Sequence, residues 1–210
     1  MTVPMTRREA TAFLGAALVA PPALAQNELL TRAIPSGGER LPAVGLGTAG
    51  VFGSGEGARQ IAGAVVEALL AGGGRLIDTA SVYGEAEAVL GDVTAAGVLR
   101  DRIFIATKLE APDPAELKRS LSRLKTNTLD LLQLHNVHDN EQSLAQFKEW
   151  KSQDICRYFG ITSTRRRDYP AVEAVLLREK PDFVQIDYSL DNREVEPAFF
   201  RSRPRLGLAC

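Results

Sequence analysis

Cysteine and histidine are scarce, with two of each among 210 residues. Cys156 and Cys210 stand apart, with no CxxC pair and no ligand spacing around them, which excludes a disulfide framework and a zinc site. No sign of charge dominates either: 25 Lys and Arg against 26 Asp and Glu leave a formal net charge of −1. Bulk electrostatics therefore point away from nucleic acid and from an acidic substrate. Long apolar runs are missing beyond residue 25. The length allows one domain with a sizeable core and is short for two.

The one long apolar run lies at the N-terminus. Thr6-Arg7-Arg8 precedes Ala12-Phe13-Leu14-Gly15-Ala16-Ala17-Leu18-Val19-Ala20 and then Pro21-Pro22-Ala23-Leu24-Ala25. A cationic start, an apolar segment too short to remain as a span, and small residues at Ala23 and Ala25 predict a signal peptide over residues 1–25. The Arg7-Arg8 pair predicts twin-arginine export to the periplasm, with the export machinery as a transient partner and no stable membrane span once the signal is removed. An amphipathic or anchoring helix is the alternative.

From Leu29 to Pro42 two extended pieces flank Ser36-Gly37-Gly38, a hairpin signal. Strands and helices then alternate. Ala43–Thr48 reads as a strand, followed by a helix carrying Ile61, Val65, Val66, Leu69 and Leu70 and stopped by Gly72-Gly73-Gly74. Arg75–Ala80 is the next strand, with a helix from Glu85 bearing Ala86, Val89 and Leu90. Ile103–Lys108 follows, then Asp113 as N-cap and Pro114 at the first helical position, with Leu117, Leu121 and Leu124 inward. Leu129–His135 is a strand, and Leu144, Phe147, Lys148 and Trp150 belong to its helix. Tyr158–Ser163 comes next, then a helix opened by Asp168 and Pro170 with Val172, Val175 and Leu176 inward, and finally the strand Phe183–Tyr188.

Strands joined by helical crossovers run parallel, so two architectures compete. A doubly wound nucleotide-binding sheet needs a GxGxxG turn after its first strand, and Gly45-x-Gly47 lacks the third glycine. Gly72 to Gly74 follow a helix, where glycine serves as a stop. A parallel barrel accounts for the chain better.

Such a barrel delivers the last residue of every strand to one shared mouth. Asp78 and nearby Tyr83 follow the second strand, Lys108 ends the third and His135 ends the fourth. Singly each has an ordinary structural role: a helix cap, a packing residue, a solvated strand end, a satisfied core histidine. Together they form a device for carbonyl reduction, which needs a proton for the developing alkoxide. An ammonium at Lys108 would lower the pKa of the Tyr83 phenol toward usefulness, Asp78 would pair with Lys108 and keep it charged, and His135 would orient or polarise the carbonyl oxygen.

Leu76-Ile77-Asp78-Thr79-Ala80-Ser81-Val82-Tyr83-Gly84, Ile105-Ala106-Thr107-Lys108 and Leu131-Leu132-Gln133-Leu134-His135-Asn136 resemble the signatures of the aldo-keto reductase family. The resemblance runs from about Leu29 to Glu196. It implies a (β/α)8 TIM barrel of that type, incomplete with six strands present over residues 26–196. It also implies an NADPH-dependent (NADP+) oxidoreductase acting on a small carbonyl compound, with Asp78, Tyr83, Lys108 and His135 as tetrad. Cofactor contacts carry over to Gly47, Thr48, Asp78, Thr162, Ser163 and Gln185, and no metal is implied. The family usually has Ser-Asn where Thr162-Ser163 stands, so one hydroxyl at Ser163 replaces an amide that binds the carboxamide. Asp154 occupies a helix end where relatives tend to have Gly, which predicts local strain.

After Pro197 the composition turns to Phe199-Phe200-Arg201-Ser202-Arg203-Pro204-Arg205, with no strand or helix signal. The expectation is an aberrant or truncated tail over residues 197–210. The family's seventh and eighth strands, with the loops that stack on nicotinamide and bind phosphate, would then be lacking. That leaves a second hypothesis, an inactive remnant or binding module. A third, a lyase using Lys108 as a Schiff-base amine, is disfavoured by the pairing of Asp78 with Tyr83.

Overall fold

The computed structural model describes residues 29–197 apart from 54, 56, 96–98, 140 and 142. The expected signal segment, and the tail from residue 198 onward, lie outside the described residues. The chain opens with an antiparallel hairpin, β1 (Thr31–Ala33) and β2 (Arg40–Pro42), in register Thr31 to Pro42. Its turn needs Gly38 at φ 69°, the left-handed region glycine enters at no steric cost.

Then come β3 (Leu46–Gly47), α1 (Ala58–Ala71), β4 (Leu76–Asp78), α2 (Ala86–Ala95), β5 (Phe104–Leu109), α3 (Pro114–Leu124) and β6 (Leu129–Leu134). The chain continues through α4 (Ala145–Ser152), β7 (Cys156–Ser163), α5 (Tyr169–Glu179) and β8 (Phe183–Ile186). Strands β3 to β8 form one six-stranded parallel sheet in sequence order.

That sheet is strongly curled. In a flat sheet strands four places apart would be separated by about 19 Å. Yet the Gln185 side chain of β8 hydrogen-bonds Asp78 of β4 at 3.3 Å, and the Phe183 and Phe104 rings lie 6.1 Å apart. The result is the incomplete (β/α)8 barrel expected of the sequence: six strands wrapped around a shared interior. Side-chain alternation then sorts the core. Leu76, Phe104, Ala106, Leu131, Tyr158 and Phe183 fill the interior beneath the hairpin residues Ile34 and Leu41. Ile77, Ile105, Leu109, Leu132, Leu134 and Ile161 face outward against the helices. Each fully buried Leu or Ile there contributes about 1.5–3 kcal/mol.

The helix signals hold with two differences. Asp113 caps α3, accepting from Ala115 N–H at 2.8 Å with Pro114 beside it, and Gly72 closes α1 while Gly73 turns left-handed at φ 83°. Asp168 precedes α5 as expected, but its side chain makes no cap bond and instead meets His138 Nδ1 at 3.1 Å. In α1 the buried pair is Ala62 and Val66, whereas Ile61 is 66% exposed. The helical period carries positions 61 and 65 about 100° around the axis from their buried neighbours. Asp154 adopts φ 57°, the strained conformation expected there.

At the N-terminal ends of the strands a cavity of about 370 Å³ lies under the hairpin, lined by Ile34, Leu41, Leu76 and Phe183 among others. The polar side chains gather at the other end. Among the described residues, no helix is long and apolar enough to cross a membrane, and no cluster of three metal-ligating side chains occurs.

Candidate active site

Parallel registration sets the rim. Gly47 lies beside Asp78, Asp78 beside Ala106, and Lys108 beside Gln133. Period-two alternation turns Asp78, Lys108, Gln133, Thr162 and Gln185 toward the interior. Tyr83 and His135 reach the same mouth from the segments after β4 and β6.

Lys108 is the anchor. Only 2% exposed, it donates from Nζ to Asp78 Oδ2 at 2.6 Å and to the Thr79 carbonyl at 2.7 Å. This is no solvated strand end. The ammonium lies 5.0 Å from the centroid of the Tyr83 ring, a cation–π arrangement. The ring of Tyr83 in turn meets that of His135 edge to face, centroids 5.9 Å apart at 81°. His135 Nδ1 is hydrogen-bonded to Glu110 Oε1. The four residues predicted from spacing therefore do meet at one end of one curled sheet.

The electrostatics depart from the sequence expectation. The Tyr83 phenol is pushed above its ordinary value of 10.0, first by burial and then by the Asp78 and Glu110 carboxylates. Lys108 was expected to lower it, but the ammonium sits over the ring face and its protons go to Asp78 and Thr79. Lys108 itself is pushed below 10.5 by burial, with Asp78 opposing. In this arrangement Tyr83 holds its proton through the neutral range.

The cofactor positions divide. The Thr48 N–H donates to the Asp78 carbonyl at 3.0 Å, and its buried Oγ1 has no partner. At Gly47 a Cβ would meet nothing within 4 Å, so open space borders the first strand end. Thr162 Oγ1 accepts from Asn136 N–H at 2.9 Å, helping to hold Asn136 at φ 63° directly after His135. Gln185 spans the mouth, donating to Asp78 Oδ2 at 3.3 Å and accepting from Gln133 at 3.1 Å. Ser163 departs from the pattern. Adjacent strand residues face opposite sides, so with Thr162 inward Ser163 turns outward, and its hydroxyl is tied to Arg165 N–H at 3.3 Å. It is fully buried and does not reach the mouth with the others.

Sequence reasoning missed Gln133 and Glu110. Gln133 sits inside the barrel because Gly160 opposite leaves room: a Cβ there would stand 3.1 Å from the Gln133 side chain. Its Oε1 is buried without a partner. Three buried side-chain oxygens have no partner among the described residues, on Thr48, Thr79 and Gln133, and that of Gln133 lies on the inner side of this rim. A buried polar atom without a partner is costly, and the amide of a carboxamide-bearing ring is the kind of donor that would satisfy Gln133 Oε1. The described residues therefore fit the nicotinamide end of a dinucleotide.

Residues 43–202 match the model of the aldo/keto reductase family. An aldo-keto reductase of Mycolicibacterium smegmatis is 39% identical over 142 residues, covering 63% of this chain and 48% of that protein. A holo-form aldo-keto reductase from Bacillus halodurans superimposes with a TM-score of 0.71 at 25% identity, covering 86% of this chain and 64% of the other. A Klebsiella pneumoniae aldo/keto reductase, solved with NADP and acetate, gives 0.66 at 25% identity, over 81% of this chain and 63% of its own. The chain spans about half or less of the length of the curated relatives it matches first, 48% and 35%. By sequence and by fold, the chain belongs to the aldo/keto reductase family.

Proposed function

We propose that this chain carries the proton-donating half of a carbonyl reductase site, with NADPH as hydride source and an aldehyde or ketone as substrate. The observation that carries it is the buried Lys108–Asp78 pair, 2.6 Å apart, under a Tyr83 ring that also touches His135. When bound, the reduced nicotinamide supplies the hydride. Gly47, Thr48, Thr162 and Gln185 are the residues that would hold it; the Ser163 hydroxyl is tied to Arg165 instead.

The chain's own side chains account for the rest. Tyr83 keeps its proton until an alkoxide forms, then donates it from the hydroxyl. Lys108 stabilises the resulting phenolate, so its charge matters after transfer more than before. Asp78 holds the ammonium over the ring and balances it in a partly dry mouth. His135 orients the carbonyl oxygen toward Tyr83. Aliphatic packing on the outer face fixes the strand ends that carry Asp78 and Lys108 and lead into the segments bearing Tyr83 and His135.

The test is to titrate NADPH by nicotinamide fluorescence and follow its carbonyl-dependent oxidation across varied aldehydes and ketones. Turnover is expected. Cooperative unfolding of the chain with no turnover for any carbonyl would overturn the reading. A second reading, an inactive remnant or binding module, is favoured by the edges of β3 and β8, which pair with no further strand among the described residues. Stoichiometric NADPH binding by the chain would count against it. Twin-arginine export to the periplasm is likewise our proposal, supported by the Thr6-Arg7-Arg8 start. Retention of the uncleaved chain in the cytoplasm would overturn it.

A further inference from the structure

Glu110 has no role in the chemistry above, yet it is the carboxylate in contact with the imidazole. It follows β5 directly, and its Oε1 meets His135 Nδ1 across a sequence separation of 25 residues. The backbone brings the two together, since His135 N–H donates to the Leu109 carbonyl at 2.8 Å. The imidazole also rests edge to face against the Tyr83 ring. It is thus held by a carboxylate at Nδ1 and by an aromatic ring.

An ionised carboxylate only accepts, so the nitrogen it contacts must carry a proton. We propose that Glu110 is the positioning residue of His135, holding the ring with its proton on Nδ1 and leaving Nε2 as the nitrogen that serves the mouth. The chemical role follows from which nitrogen is bare. In the neutral ring Nε2 is an acceptor, suited to the Tyr83 hydroxyl. In the imidazolium both nitrogens donate, Nε2 can hydrogen-bond a carbonyl oxygen, and Glu110 balances the charge. Asp78 and Lys108, paired with each other, are the other charged groups about Tyr83. The upward push that Glu110 exerts on the Tyr83 phenol is consistent with a carboxylate aimed into this mouth. The catalytic meaning rests on the reading of the rim as a reduction site; the tautomer does not.

Nitrogen chemical shifts distinguish the two tautomers directly. The chain has two histidines, so His138→Gln assigns the His135 signals in long-range 1H–15N spectra of the labelled protein, recorded where the rings are neutral. The expected result is a pyrrole-type resonance from Nδ1 of His135 in the wild type. Glu110→Ala, at a half-exposed position, should move it to Nε2, whereas Glu110→Gln, whose amide oxygen still accepts, should keep it on Nδ1. An Nε2–H ring in the wild type, or no change in Glu110→Ala, overturns the proposal. Absence of turnover alongside the expected spectra would defeat the reductase reading and leave the Glu110 assignment standing.

Discussion

Gln185 donates across the mouth, at 3.3 Å, to the same Asp78 oxygen on which Lys108 Nζ rests at 2.6 Å. One carboxylate oxygen therefore ties β4 to both β5 and β8. Curling the sheet and building the site are the same event, because the interaction that orients the buried ammonium also joins strands that are distant in sheet order.

Removing one partner of that pair should cost stability as well as activity. Asp78→Asn leaves Lys108 buried with no counter-charge, a loss of about 3 kcal/mol. Adding Lys108→Met should restore a large part of it, because the unpaired charge goes too. Denaturant unfolding of the four members of the cycle checks this; an additive double variant would contradict it.

Two groups at the mouth predict opposite slopes of stability with pH. Lys108 is depressed below 10.5, so the unfolded chain binds more protons between its folded value and 10.5, and stability rises with pH through that window. Tyr83 is raised above 10.0, so its contribution is complete below 10.0 and is lost as pH climbs through its higher folded value. Lys108→Met should flatten the rise, and Tyr83→Phe should flatten the fall. Thermal melts across the alkaline range read both.

Cys156 should be inert while the chain is folded. It is buried at the start of β7 and its thiol is pushed up to about 12, mainly by burial. In a Cys210→Ser background, alkylation of Cys156 should keep pace with global unfolding. Fast labelling under native conditions would mean that β7 opens locally.

Helices α2 and α3 cross at Gly91, where a Cβ would press into the Arg123 carbonyl. The same contact is clamped by Glu87, 1% exposed, which accepts from Thr107 Oγ1 at 2.6 Å and from Arg123 Nε at 2.8 Å. Gly91→Ala should therefore destabilise by about 1–3 kcal/mol or more, since rigid backbone is the obstacle. A lowered melting temperature with an unchanged spectrum of the folded state is the expected outcome.

Much of this was legible in the sequence because two signals are local. Alternating strands and amphipathic helices gave the parallel order, and strand-end positions gave Asp78, Lys108 and His135 a common address. What spacing could not supply was direction. Ser163 reads as part of a motif beside Thr162, but neighbouring strand residues cannot both face inward, and period two applied within the motif would have found it. Ile61 and Val65 repeat at helical spacing, yet the face that packs is set by Ala62 and Val66. The Tyr83 shift turned on where three Lys108 protons go, which is tertiary geometry. Glu110 carries no motif at all; only the meeting of β5 and β6 strand ends brings it to His135.

The most direct test of the tetrad is single-turnover oxidation of bound NADPH by a carbonyl substrate in the wild type and in Tyr83→Phe. Proton donation by Tyr83 predicts a rate lower by ~10²–10⁴-fold in the variant, with NADPH affinity unchanged. Equal rates in the two proteins would contradict it.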